Sequence, residues 1–265
     1  MRKSDQDIMS FLQANHIKGE LDTIKVRKRQ IVFLQTRSEK KHTDAVIFVH
    51  GSPGSIDAFL EYMVDTSLLS MADLVTYDRP GFGHSEFGWA ETSLTSQANI
   101  ITDLMQSLNY DRYWLAGHSY GGPIIVQAAI RHPKNIAGLA IIAGSVCPEL
   151  EPKSQWRKWI DIPLIRELFP LSLKVSNEEL MPLKHDLIMI EDDWDRIHVP
   201  VSLIQGNKDM LVPFQNLAYA KEKLVSADTI RTLIFDGENH FIPWTKKAEI
   251  ISEIVSLMKY RNMRD

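Results

Sequence analysis

The chain has a single cysteine, Cys147, among 265 residues. A lone thiol excludes an internal disulfide and gives a metal no cysteine cluster. It reads as a buried or half-buried structural thiol rather than a nucleophile. No apolar run approaches the roughly 20 residues of a membrane span. The opening Met1-Arg2-Lys3-Ser4-Asp5-Gln6-Asp7 lacks the apolar middle of a signal peptide. A cytoplasmic protein without stable membrane insertion is therefore expected. Neither sign of charge dominates: 30 basic and 34 acidic side chains leave a net charge of -4, which argues against a nucleic-acid partner. One basic run, Lys25-Val26-Arg27-Lys28-Arg29, alternates with Ile24 and Val26 and leads into Ile31-Val32-Phe33-Leu34. It reads as a strand with a solvated basic face. Internal repeats and low-complexity segments are missing too.

The length suits one domain with room for an insertion. Apolar, β-branched runs recur and each ends in a turn: Ala45–Val49, Leu74–Tyr77, Tyr113–Ala116, Leu139–Ile142, Val201–Ile204 and Thr232–Phe235. Continuous apolar runs suit strands buried on both faces. Helical patterns fall between several of them, over Thr95–Leu108, Gly122–Arg131 and Phe214–Leu224. A last helix over Lys246–Lys259 carries Ile250, Ile251, Ile254, Val255 and Met258 on one stripe. Strand–helix alternation predicts an α/β fold, a mostly parallel sheet with helices on both faces. The Ile24–Leu34 region is placed at an antiparallel edge. From about Pro148 to Asp193 the alternation stops. Prolines at 152, 163, 170 and 182 separate short apolar stretches there, which predicts several short helices. Residues 148–193 are read as a small helical lid, and 1–147 with 194–265 as the core.

Gly117-His118-Ser119-Tyr120-Gly121 lies between a strand and a helix. That context makes it a nucleophile elbow, a turn so tight that side chains at the flanking positions would clash. A serine hydroxyl needs a base within hydrogen-bond reach, most often histidine. His240, on the loop after the last strand, is the candidate. The imidazole in turn needs a carboxylate to set its tautomer. Asp209, directly after the Val201 strand, is favoured for that part. Asp236 is a rival, and the loop after Leu139–Ile142 has no carboxylate before Glu149. His50 and His118 read as loop-orienting residues, and Asp78 and Arg79 as braces for the turn before Gly81.

Together these pieces resemble the α/β-hydrolase superfamily, from about Ala45 to the C-terminus. The matching motifs are His50-Gly51-Ser52-Pro53-Gly54, Asp78-Arg79-Pro80-Gly81-Phe82-Gly83-His84-Ser85, the elbow, Gly206-Asn207-Lys208-Asp209 and Asn239-His240. The resemblance implies an eight-stranded sheet with the lid inserted after the sixth strand, and the chain order nucleophile, acid, base. It implies one oxyanion donor at the backbone N–H of Tyr120. The second comes from the loop after Ala45–Val49, where Pro53 has no N–H and Ser52 is the best match. The implied activity is a serine hydrolase acting through an acyl-enzyme on a small-molecule substrate, with no cofactor and no metal. Trp156, Trp159 and Trp244 are taken as pocket residues for a small to medium apolar acyl ester. Carbon–carbon hydrolysis of ring-cleavage diketones, thioesterase and aminopeptidase activity are alternatives, as is a ligand receptor that retains the triad.

Overall fold

The apolar runs pair into one sheet, and their order decides where loops can meet. The computed structural model describes residues 2–26, 28–151 and 169–263. Strands are β1 (Lys18–Val26), β2 (Arg29–Arg37), β3 (Asp44–Val49), β4 (Asp73–Tyr77), β5 (Arg112–His118), β6 (Ile136–Ile142), β7 (Val201–Gly206) and β8 (Ile230–Phe235). They form an eight-stranded sheet in the order β1-β2-β4-β3-β5-β6-β7-β8. β1/β2 and β2/β4 are antiparallel, and every pair from β4 through β8 is parallel. Among the described residues the helices are α1 (Asp5–Ala14), α2 (Thr66–Leu69), α3 (Leu94–Leu108), α4 (Gly121–Arg131), α5 (Leu171–Leu180), α6 (Leu183–Met189), α7 (Gln215–Lys223), α8 (Ile242–Thr245) and α9 (Lys247–Asn262).

The alternation of side chains along each strand divides the core in two. Ala45, Ile47 and Val49 of β3 face a layer built from α3, α4 and α7, including Ile101, Leu104, Ile125 and Ala220. Val46 and Phe48 face the opposite layer, from α1, α2 and α9, including Leu12, Leu68, Ile250 and Ile254. Every residue of β3, β4, β6 and β7 is buried, the burial expected of doubly covered parallel strands. β1 at one edge and β8 at the other are largely half-buried or exposed.

The basic run is corrected. It is not one strand: Lys25 and Val26 end β1, and Arg29, paired with Val26, opens the antiparallel β2. α1, which the reading of the sequence passed over, begins with a capping box. Asp7 N–H donates to Ser4 Oγ, and Ser4 N–H donates to Asp7 Oδ2.

Between β6 and β7 lie a 3-10 turn (Pro148–Leu150), α5, α6 and a second 3-10 turn (Glu191–Arg196). No helix among the described residues is long and apolar enough to cross a membrane. Cys147 is buried, and its thiol donates to Glu149 Oε2 at 3.3 Å. Burial pushes that thiol up from its ordinary pKa.

Candidate active site

A parallel sheet delivers its loops to the carboxyl ends of the strands, and ligands gather where neighbouring loops diverge. Five sequence-predicted positions sit on such loops. Ser52 follows β3, Ser119 and Tyr120 follow β5, Asp209 follows β7, and His240 follows β8.

Ser119 occupies the left-handed region, at φ 55. Such a conformation strains a non-glycine residue, and the surrounding packing enforces it. A Cβ on Gly121 would stand 2.2 Å from the Val49 carbonyl oxygen, and one on Gly117 would stand 2.3 Å from that of Gly121. The strand-to-helix turn can pass so close to β3 only because both positions lack a side chain. Tyr120 is the N-cap of α4, and the first amides of a helix have no intrahelical acceptor.

On the other side, His240 Nδ1–H donates to Asp209 Oδ2 at 2.7 Å. Gln205 Nε2 donates to the same oxygen at 3.1 Å, and the N–H groups of Leu211 and Val212 donate to Oδ1 at 2.9 and 2.8 Å. The carboxylate is thus held by four donors, and both groups are buried. Buried carboxylates survive on such bonds. Asp236, the rival, turns away: it accepts from Asn207 Nδ2 at 2.6 Å.

His118 and His50 are fully enclosed. His118 Nε2–H donates to the His240 carbonyl at 3.2 Å, with the two rings 4.7 Å apart. Desolvation, then the neighbouring His240, drives its pKa down to about 3. A neutral ring there does not oppose a positive charge arising on His240. His50 is likewise held well below its ordinary value by desolvation and by Arg79. Asp78 braces the following turn, accepting from the N–H groups of Ile56 and His84 at 2.8 and 2.9 Å; burial raises its pKa.

Ser52, Ser119, Tyr120, His240 and Trp244 all line one cavity of about 1130 Å³. The structure therefore brings together the candidate nucleophile, the base and both candidate oxyanion residues. Trp244 stands edge-on to His118, with ring centroids 5.4 Å apart. Trp156 and Trp159 lie outside the described residues.

Residues 44–172 match the family model described as alpha/beta hydrolase fold. The chain belongs to the α/β-hydrolase superfamily. Among relatives of this hydrolase-superfamily member is a dihydrolipoyllysine-residue acetyltransferase component of an acetoin cleaving system from Cupriavidus necator. It is 29% identical over 100 residues, covering 38% of this chain and 26% of that one. The chain thus spans about a quarter of that relative's length. The mitochondrial palmitoyl-protein thioesterase ABHD10 of Mus musculus is 22% identical over 232 residues, covering 80% of this chain and 73% of that one. The solved carboxylesterase CesB (YbfK) from Bacillus subtilis shares the fold, with a TM-score of 0.68, 18% identity and 96% of both chains covered.

Two buried glutamates of this superfamily member escaped the reading of the sequence. Glu151, buried, lines the cavity and accepts from the Ser145 hydroxyl, while Ser145 N–H donates to the Ser119 carbonyl at 3.3 Å. Glu179, on α5, forms a buried ion pair with Arg79. Neither glutamate belongs to a motif, so only contact in space exposes it.

Proposed function

We propose that this protein is a serine hydrolase that forms an acyl-enzyme on Ser119. One observation carries the reading: the imidazole bound through Nδ1 to the buried Asp209 opens, with the strained Ser119, on one apolar-walled cavity. Nδ1 is occupied, so Nε2 is the nitrogen left to take the Ser119 proton. The freed oxygen attacks a carbonyl carbon, and the N–H groups of Ser52 and Tyr120 receive the oxyanion. His240 then protonates the leaving group and activates the water that releases the acid. Asp209 keeps the tautomer and balances the imidazolium throughout.

The substrate class is a small to medium apolar acyl ester. Phe87, Leu180, Leu211, Phe241 and Trp244 offer the cavity apolar surface for the acyl chain. Thioesters are the second reading, because the name of the mouse relative is that of a thioesterase and a sulfur leaving group asks nothing further of the same machinery. The test uses p-nitrophenyl butyrate, a matched thioester, an anilide and a diketone, with Ser119→Ala as control. Multiple turnover on the ester and labelling by a fluorophosphonate are expected. Ser119→Ala should lose at least about 10³-fold in kcat and all labelling, with its melting curve retained. Labelling that persists in that variant refutes the assignment; a single turnover that stops at a bound product favours a receptor.

A further inference from the structure

Arg79 is wholly buried and makes more bonds than a turn brace requires. Nε donates to the His50 carbonyl at 3.0 Å, and one terminal nitrogen donates to the Gly51 carbonyl at 2.9 Å. The two terminal nitrogens also form a forked pair with Glu179 of α5, at 2.7 and 2.9 Å. Glu179 is equally buried and accepts once more, from Gln97 Nε2 at 3.2 Å. An ion pair this deep is a weak source of stability, since apolar side chains of the same volume serve as well or better. Apolar side chains could not, however, grip two successive carbonyls.

The grip has a geometric consequence. The Gly51 carbonyl oxygen also accepts from His50 Nδ1 at 2.7 Å. That ring nitrogen carries the proton because Nε2 accepts from the Arg79 N–H at 3.0 Å. Both lone pairs of the Gly51 oxygen are therefore engaged. The same planar, trans peptide unit holds the Ser52 N–H, which must point opposite to the C=O. Whatever clamps the Gly51 oxygen aims the Ser52 N–H. The peptide unit starts beside Ser119, since a Cβ on Gly51 would stand 2.9 Å from Ser119 Cβ, and Ser52 lines the same cavity. The guanidinium also lies 4.8 Å over the Tyr120 ring, and Tyr120 OH donates to the Glu179 carbonyl at 3.4 Å. One buried pair thus touches Tyr120 itself and the Gly51 carbonyl, which shares its peptide unit with the Ser52 N–H.

We propose that Arg79, seated by Glu179, is a positioning residue that sets the oxyanion hole by fixing the Gly51–Ser52 peptide plane; the inference rests on the serine-hydrolase reading above. Its substrate-free role predicts a defect in the transition state rather than in binding. Lysine keeps the charge but cannot grip two carbonyls and a carboxylate at once. In Arg79→Lys, kcat on p-nitrophenyl butyrate should fall roughly 30- to 100-fold with KM within about threefold, somewhat less than the roughly 10²- to 10³-fold cost of removing an oxyanion donor outright. Affinity for a trifluoromethyl ketone should fall in parallel. In the wild type, adduct formation should move the Ser52 amide proton downfield, and in the variant that shift should shrink. A residue that merely walls the cavity would raise KM and leave kcat and the amide shift alone. A folded Arg79→Lys with wild-type kcat overturns the proposal. If it does not fold, Arg79→Met combined with Glu179→Leu restores packing, and a folded double variant at wild-type kcat overturns it equally. If the wild type itself shows no Ser119-dependent turnover, the hydrolase reading has failed first, which separates the two.

Discussion

The two sides of the cavity are built by different physics. The Ser119 side is fixed by exclusion. Ser119 keeps its strained backbone because Gly117 and Gly121 leave no room for a Cβ beside neighbouring backbone atoms. The His240 side is fixed by hydrogen bonds. Asp209 is seated by Gln205 and by the amides of Leu211 and Val212. The two loops there are cross-braced, with Lys208 N–H donating to the Glu238 carbonyl at 2.8 Å and Gly237 N–H to Asn207 Oδ1 at 2.8 Å. A position defined by exclusion is ruined by adding an atom. A position defined by bonding is ruined by changing an acceptor, and the fold around it survives.

That contrast can be broken at several points. The largest effect is expected on the bonding side: Asp209→Asn should lower kcat about 10²- to 10⁴-fold while its urea midpoint moves little. A drop below tenfold would mean that the carboxylate is not the partner that sets the ring. On the exclusion side, adding one methyl in Gly121→Ala should cost about 3 kcal/mol or more by urea unfolding, because the atom met is backbone oxygen rather than a yielding side chain. A loss under about 1 kcal/mol would show that the elbow has slack.

Acid should probe the neutral histidines that join the two sides. His50 and His118 have folded pKa values below their unfolded ones, His118 at about 3. The unfolded chain therefore takes up more protons as pH falls through 6.5, the ordinary histidine value. Their contribution is complete above that pH and is lost progressively below it. Asp78 acts in the opposite sense, since its carboxyl is raised, and offsets part of the loss. The melting temperature should drop by roughly 5–10 °C between about pH 7 and pH 4.5. A flat profile would show that neither ring is held neutral. The smallest effect is assigned to Asp236→Asn, within about threefold of wild-type kcat, because its carboxylate meets Asn207 rather than His240.

The six apolar runs became β3 to β8, and the four helical patterns became α3, α4, α7 and α9, displaced only at their ends. Burial on both faces leaves a continuous apolar signature that survives in the linear chain. α1 was less legible, since ten residues with only two buried ones make a weak stripe. The hairpin tip at Lys28 was hidden because alternation continues across it in composition. Asp209 could be ranked above Asp236 but not separated from it, as both follow a strand.

The sequence by itself determined the strands, the elbow, and the order of Ser119, Asp209 and His240, because these depend on local pattern and on which residue types can do the chemistry. Only the tertiary structure decided which carboxylate meets the imidazole, and that Arg79 closes on a glutamate 100 residues away. Such partners are selected by where loops converge at the carboxyl edge of the sheet. Hydrogen bonds and ion pairs between distant segments leave no periodicity in the chain that forms them.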